Sequence, residues 1–134
     1  MRDTPMSALR VLSVGQCGID DGKISRFLRG RFAAEVVSVD TCSEALESLG
    51  AGAFHLILVN RILDADGSGG TDVIRAIKSD PRFAPIATML VSNYPDAQAE
   101  AIALGALRGF GKANISSPST IVSIQHVFQS LIHS

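Results

Sequence analysis

The sequence is poor in the residues that characterise several functional classes. Its 134 residues include no tryptophan, one tyrosine and two cysteines. Two cysteines are too few for a small secreted scaffold held together by disulfides. Neither sign of charge prevails, since 12 basic and 13 acidic residues give a formal net charge of -1. The strongly basic face of a protein that binds DNA or RNA is therefore not expected.

Long apolar segments are also missing, and with them the usual signs of a membrane or secreted protein. The longest apolar runs fall well short of the ~18 residues that a membrane helix requires. The amino terminus carries Asp3, Pro5 and Arg10 and lacks the apolar centre of a secretory signal. Gln16 directly before Cys17 does not fit a lipoprotein cleavage site. We expect a cytoplasmic protein with no membrane partner, in which Cys17 and Cys42 stay reduced.

What the chain does have is an apolar content of 46%, enough for one domain over residues 1–134 behind a disordered lead of residues 1–8. The uninterrupted apolar run 54–59 predicts a strand buried on both faces. Further strands are predicted at 9–14, 35–40, 86–91 and 107–111. Five helices are predicted. The first covers 19–32, the second follows a capping box of Thr41 and Glu44, and the third covers 71–78. The fourth lies between Pro95 and Gly105, and the fifth starts at Ser117.

Five strands alternating with five helices predict an α/β fold, a doubly wound parallel sheet of the flavodoxin-like type with strand order 2-1-3-4-5. In this order the switch point lies between strands one and three, so Gly15, Gln16 and Asn60 should meet in one shallow cleft. The loop after Asn60 is acidic through Asp64 and Asp66. Its three glycines, at positions 67, 69 and 70, predict a mobile loop.

Three motifs carry a resemblance to a known family. They are LILVN before the acidic loop, MLVS at the end of strand four, and ALGALRGFGK leading into and through strand five. Together with the element order, they make residues 9–132 resemble the receiver domains of bacterial two-component response regulators. In that family a partner histidine kinase transfers a phosphoryl group to an aspartate at the end of strand three, and two acidic residues after strand one hold Mg²⁺.

The resemblance implies a degenerate phosphorylation site. Asn60 stands at the phosphoacceptor position, and Gly15 and Gln16 stand where the acidic pair would be. An amide is a poor nucleophile, and Mg²⁺ usually takes one or two carboxylates. We therefore expect no acyl phosphate, no Mg²⁺ site, no other cofactor and no enzymatic activity.

Two site residues of the family are kept. Ser92 matches the hydroxyl residue that contacts the phosphoryl group, and Lys112 matches the lysine that pairs with it. An unpaired buried ammonium is costly, so Lys112 should pair with the side-chain carbonyl of Asn60 or with Asp64. The alternative for Ser92 is a strand-end hydroxyl that bonds the backbone.

Other positions depart from the family pattern. Gly109 stands where an aromatic residue would switch between two orientations, and Ala113 stands where a proline would follow a cis peptide. A cis bond before a residue other than proline costs about 3 kcal/mol, so a trans peptide is expected after Lys112. The loop 61–70 is about two residues longer than the family pattern.

The remaining polar residues have simpler interpretations than catalysis. Asp20 and Asp21 are expected to cap helix one rather than to bind a metal ion. The three histidines, His55, His126 and His133, show no metal spacing and should lie on the surface without clustering. A basic side of helix one, formed by Lys23, Arg26 and Arg29, is a solvated face or a contact for a kinase or phosphotransfer partner.

The expected function is that of an atypical, stand-alone receiver-like domain that signals without phosphorylation. It would act through contacts with a histidine kinase, a phosphotransfer protein or another signalling protein, or as a homodimer. Two alternatives remain open. The domain could be an active phosphoacceptor that uses Asp64 or Asp66, or a small-ligand or redox sensor that uses the neutral cleft or the pair Cys17 and Cys42.

Overall fold

The computed structural model describes residues 9–132, except for the side chains of residues 131 and 132. The expected lead of residues 1–8 and His133 lie outside this range. The elements follow the order β1 (Arg10–Val14), α1 (Gly18–Phe32), β2 (Glu35–Val39), α2 (Cys42–Ala51), β3 (Leu56–Asn60), α3 (Gly70–Lys78), β4 (Ala87–Val91), α4 (Pro95–Ala103), β5 (Leu107–Phe110), a 3₁₀ turn (Lys112–Asn114) and α5 (Pro118–Ile132). The predicted alternation of strands and helices is confirmed, and element ends differ by a residue or two.

The five strands form one parallel sheet in the order β2-β1-β3-β4-β5, as predicted. β3 lies at its centre, and all five of its residues are buried. Because side chains alternate along a strand, Leu56 and Leu58 enter the core on one face, and Ile57 and Val59 enter the core on the other. The uninterrupted apolar run of the sequence reflects this double burial.

Helices cover both faces of the sheet. Three of them, α2, α3 and α4, pack on the face of Ile57 through Leu49, Ile74 and Ala101. The other two, α1 and α5, pack on the face of Leu58 through the buried residues Ile24, Leu28, Ile124 and Phe128. Within the described range, no helix has the length and apolar character needed to cross a membrane.

The capping interactions differ in detail from the prediction. The Thr41 hydroxyl accepts the Glu44 N–H at 3.2 Å, as a capping box requires, but the Glu44 carboxylate accepts the N–H of Asp40 rather than that of Thr41. At α1 the capping position is Cys17, whose side chain makes no cap hydrogen bond. Asp20 and Asp21 lie in the first turn, where a negative charge favours the helix dipole.

Candidate functional site

A cavity of about 310 Å³ opens at the carboxyl ends of β3 and β4. Its lining combines polar, cationic and apolar residues, namely Asn60, Arg61, Ile62, Val91, Ser92, Asn93, Tyr94 and Lys112. The structure therefore brings Asn60, Ser92 and Lys112 together, as predicted. Gly15 and Gln16 are not among the lining residues, so the cleft is narrower than the sequence suggested.

Asn60 uses both ends of its amide to hold the backbone around it. Nδ2 donates to the carbonyl of Gly15 at 3.1 Å and to that of Ile62 at 2.8 Å. Oδ1 accepts the N–H of Arg61 at 3.0 Å. Two acceptors on one side and a donor on the other fix the orientation of the amide. A carboxylate has no hydrogen to donate to the two carbonyls, so Asn60 has a structural role that aspartate cannot take over.

Gly15 lies against Leu63, which fills the space beyond the end of β1. Gly15 adopts a left-handed conformation with φ of 76°. A Cβ atom at this position would overlap Leu63 Cγ and lie 3.0 Å from Leu63 Cβ. Leu63 is completely buried in the core. An acidic side chain at Gly15, the first of the two family metal positions, would therefore have to displace a core residue.

Leu63 is held in place by the loop that follows β3, which folds as a small hairpin. Ile62 and Gly69 form an antiparallel bridge, and the N–H of Leu63 donates to the carbonyl of Ser68 at 2.9 Å. At the tip of the hairpin, the N–H of Gly67 donates to the carbonyl of Leu63 at 2.8 Å. The prediction of a mobile loop did not anticipate this bonding. The extra residues form a hydrogen-bonded hairpin that closes on β1.

The hairpin also fixes the two aspartates that were candidate phosphoacceptors. The backbone N–H of Asp64 donates to the carbonyl of Gly15 at 3.0 Å, while its side chain is exposed. Asp66 accepts hydrogen bonds from both the hydroxyl and the N–H of Ser68, and the hydroxyl is the main reason why its pKa is lowered. Neither aspartate lines the cavity around Asn60.

Gln16, at the second metal position of the family, does not line the cavity either. Its side chain is 7% exposed, and neither amide atom has a hydrogen-bond partner among the described residues. In the same range, no group of three or more histidine, cysteine, aspartate or glutamate residues could hold a metal ion. Gly15, Gln16 and Asn60 do not fit the Mg²⁺ site that the resemblance implies.

Lys112 pairs with Asp20, which corrects the expected partners Asp64 and Asn60. Lys112 Nζ lies 2.8 Å from Asp20 Oδ2, and the same oxygen accepts from Cys17 Sγ at 3.3 Å. The side chains are 43% and 20% exposed, respectively. Asp20 reaches Lys112 because it lies in the first turn of α1, beside the carboxyl edge of the sheet. Sequence spacing alone gave no sign of this pairing, in which Asp20 is the counter-ion of Lys112.

The ion pair predicts a pH-dependent contribution to stability. The hydrogen bond from Lys112 lowers the pKa of Asp20 below its ordinary value of 3.8. A lowered folded-state pKa means that the contribution is fully present above 3.8 and is lost as the pH falls through the lowered value. We expect the difference in unfolding free energy between the wild type and Lys112→Met to shrink as the pH falls below 3.8, as measured by urea unfolding. Arg108→Met, at an exposed position, is the control; a difference independent of pH would contradict the pairing.

Ser92 uses its hydroxyl oxygen in a local turn. It accepts the N–H of Tyr94 at 3.0 Å, directly before Pro95 begins α4. The interpretation of Ser92 as a strand-end hydroxyl that bonds the backbone therefore holds, although the residue also lines the cavity. Tyr94 is 59% exposed, and the Arg61 guanidinium lies 4.7 Å from the centre of its ring.

Gly109, at the position of the family's aromatic switch, is a glycine for steric reasons. β5 pairs with β4 through an irregularity, since Met89 faces Leu107 and Val91 faces Phe110. This bulge presses Gly109 against Leu90, and a Cβ atom there would overlap the Leu90 carbonyl oxygen. No side chain can project from this position without moving the strand. The residues after β5 form a 3₁₀ turn, and the described chain contains no cis peptide, so the trans bond between Lys112 and Ala113 is confirmed.

Gln98, which the sequence did not single out, joins α4 to β4 and to the edge strand β5. It is 5% exposed, and Nε2 donates to the carbonyls of Leu90 and Ser92 at 2.9 and 3.0 Å. Oε1 accepts the N–H of Gly109 at 2.9 Å. Its position three residues before Ala101, on the buried side of α4, was the one available signal.

The cysteines and histidines were considered as possible redox or metal residues, and the structure describes the environment of Cys17, Cys42, His55 and His126. Both cysteines are free thiols, and burial raises the pKa of Cys42, with Asp66 and Asp72 adding to the shift. A thiol with a raised pKa forms less of the reactive thiolate, so Cys42 is a poor redox sensor. His126 is exposed and His55 is half-buried, and both line a second cavity at the opposite end of the sheet, although they belong to no cluster that could hold a metal ion within the described range.

Comparison with known proteins gives structural matches only. No protein-family model matches the sequence, and no curated protein matches it. A structure described as a response regulator from Chloroflexus aurantiacus superposes with a TM-score of 0.79 at 16% identity, over 91% of this chain and 98% of that one. The Vibrio cholerae chemotaxis protein CheY4 gives 0.72 at 20% identity, over 90% and 98%.

A third match is a Burkholderia pseudomallei response regulator whose structure contains a phosphorylated aspartic acid. Its TM-score is 0.69 at 20% identity, over 90% of this chain and 66% of that one. All three identities are low, and the agreement lies in the path of the backbone. The chain therefore has the flavodoxin-like fold of response-regulator receiver domains.

Proposed function

We infer that this protein is a receiver-type domain of two-component signalling that works without phosphorylation, as a cytoplasmic, non-enzymatic protein that binds other proteins. The observation that supports this function best is the set of three hydrogen bonds made by the Asn60 amide. In these bonds Asn60, at the phosphoacceptor position, donates twice from Nδ2 and accepts once at Oδ1. The residue is therefore committed to holding β1 and the hairpin.

A second observation supports the loss of the metal. Leu63 occupies the space next to Gly15 into which an acidic ligand would have to project. Without the ion, the negative charge of an incoming phosphoryl group would face only Lys112 and Arg61. Because Lys112 already pairs with Asp20, much of its positive charge is neutralised before a phosphoryl group arrives.

The surface around the cavity is suited to a protein partner. Ile19, Ile62 and Tyr94 are large apolar residues with exposures of 75%, 43% and 59%, and they follow β1, β3 and β4 at the same end of the sheet. Two exposed cations lie at this end of the sheet, namely Arg61 after β3 and Lys23 near the start of α1, where its charge helps to lower the pKa of Asp20. An apolar patch with basic surroundings fits a partner helix that is apolar and acidic.

Phosphorylation independence can be tested directly. The folded protein is incubated with acetyl phosphate and Mg²⁺, and its intact mass is measured. We expect no added phosphoryl group, because the site offers neither a nucleophilic carboxylate nor a metal. A phosphorylated species would contradict the proposal. If loss of the modification followed Asp64→Ala or Asp66→Ala, the domain would be an active phosphoacceptor.

The interaction surface needs a separate test, with variants that share one chemical change. The wild type, Ile62→Glu and Ile102→Glu are used to capture partners from the native host. Ile62 lies beside the cavity, whereas Ile102 is an exposed residue of α4. A protein retained by the wild type and by Ile102→Glu, but lost with Ile62→Glu, supports the proposed surface. Loss with Ile102→Glu alone would place the interface on α4.

A further inference from the structure

The cavity that contains His55 and His126 has a volume of about 450 Å³. It lies at the amino ends of β4 and β5, between these strands and the second half of α5. Most of its wall is apolar, formed by Phe54, Pro85, Ile86, Ala87, Leu107 and Val127. Its volume falls within the range of about 300 to 1,000 Å³ that is usual for small-molecule sites, and its largely apolar lining is usual for them too.

The polar atoms of this groove are few and specific. His55 Nδ1 accepts the backbone N–H of Arg10 at 2.9 Å, so the neutral ring carries its hydrogen on Nε2. This N–H has no hydrogen-bond partner among the described residues. His126 contributes a second imidazole, and the Ser130 hydroxyl donates to the His126 carbonyl at 3.0 Å. The groove therefore offers hydrogen-bond donors from its imidazoles within an apolar wall.

Charge is the second constraint on an occupant. No aspartate, glutamate, lysine or arginine lines this cavity within the described part of the chain. Two pockets that share residues with it each add one cation: Arg108 in the pocket that shares Leu107, His126 and Val127, and Arg10 in the pocket that shares Phe54. An ion placed in the groove would lose hydration without gaining a partner of opposite charge. The uncharged lining therefore favours an uncharged occupant, and both cations lie outside it.

From these features we propose that the groove binds a neutral, largely apolar small molecule that carries one hydrogen-bond acceptor, such as a ketone. The apolar body would lie against Phe54, Ile86 and Val127, and the acceptor would take the Nε2 hydrogen of His55. The site is at the opposite end of the sheet from Asn60. Its existence therefore does not depend on whether the domain is phosphorylated.

Binding can be measured with phenylnaphthylamine, a neutral dye whose fluorescence rises in an apolar site. We expect saturable binding of one dye per chain and displacement by nonanone. Nonanoate, which has the same chain length and a negative charge, should require about tenfold more ligand for the same displacement. Unsaturable binding, or nonanoate displacing the dye as well as nonanone does, would overturn the proposal.

Two variants with the same change locate the site. Leu107→Glu places a charge at the mouth of the groove, where Leu107 is 45% exposed, and should weaken dye binding about tenfold. Val122→Glu alters a residue of α5 that is 62% exposed and outside the groove, so binding should stay within about twofold of the wild type. Equal weakening in both variants would overturn the assignment.

One other occupant, a second copy of the chain, would be revealed by the same material. Sedimentation of the wild type and of Leu107→Glu shows whether a second copy of the chain covers the groove, and a dimer lost in this variant would overturn the small-molecule proposal. Amide chemical shifts on adding nonanone should change around His55, Ala87 and His126 and stay constant around Asn60. Changes confined to other regions would also contradict it.

Discussion

Gly15→Asp is expected to destabilise the protein by about 4 kcal/mol in chemical unfolding. A left-handed φ costs a residue with a side chain about 1–3 kcal/mol. The new Cβ would also overlap Leu63, and displacing a completely buried leucine costs a further ~2–5 kcal/mol. The substitution would place an acid at a family metal position, yet we expect no Mg²⁺ binding, because the hairpin still covers the site.

Gly18→Asp is the matched control for this substitution. Gly18 begins α1, nothing lies within 4 Å of a Cβ atom built there, and a negative charge is favourable at the start of a helix. Its effect should stay within about 0.5 kcal/mol. The double variant Gly15→Asp with Leu63→Ala should lose less stability than the sum of the two single variants, because the overlap is removed. Strict additivity would show that Leu63 is not the obstacle.

Asn60→Asp should lower the unfolding free energy by about 3 kcal/mol at neutral pH, since it leaves the carbonyls of Gly15 and Ile62 without their donors and places a buried charge beside them. The carboxylate form is disfavoured there, so its folded-state pKa should rise above the unfolded value of about 4. Stability should therefore fall as the pH rises from about 4 to about 8. Urea unfolding across this range measures the effect.

Asn93→Asp makes the same chemical change in the same cavity. Asn93 is exposed and its side chain makes no hydrogen bond within the described residues, so a loss below about 0.5 kcal/mol is expected, with little dependence on pH. An Asn60→Asp protein as stable as the Asn93→Asp protein, or one that gains a phosphoryl group from acetyl phosphate, would show that the amide network does not exclude the family chemistry.

The order of elements and the topology of the sheet could be predicted because they follow from strong local signals. The apolar run of β3, the stripe of α3 and the proline at the start of α4 each specify one element. Short loops between them leave few topologies open. The positions of Asn60, Ser92 and Lys112 followed from the same reasoning, since parallel strands align their carboxyl ends.

What could not be predicted depends on contacts between residues far apart in the chain. Lys112 pairs with Asp20 across the edge of the sheet, and nothing in the spacing of 92 residues distinguishes Asp20 from Asp64. The glycines of the loop were interpreted as flexible, whereas Gly70 is required by close approach, since a Cβ atom there would overlap the Asn60 carbonyl oxygen. Only the three-dimensional structure shows whether a glycine is present for backbone flexibility or because another atom lies too close for a side chain.

The hydrogen bonds of Gln98 have a consequence for how this protein would meet a partner. The Gln98 side chain connects α4 to the backbone of β4 and of β5, so α4 cannot slide along the sheet without breaking the three hydrogen bonds of Gln98. We therefore expect a single position of α4 on the sheet and a surface that is preorganised before a partner binds. Association at the proposed surface, which includes Tyr94 directly before α4, should then approximate rigid-body docking, with a small entropic penalty and little induced fit.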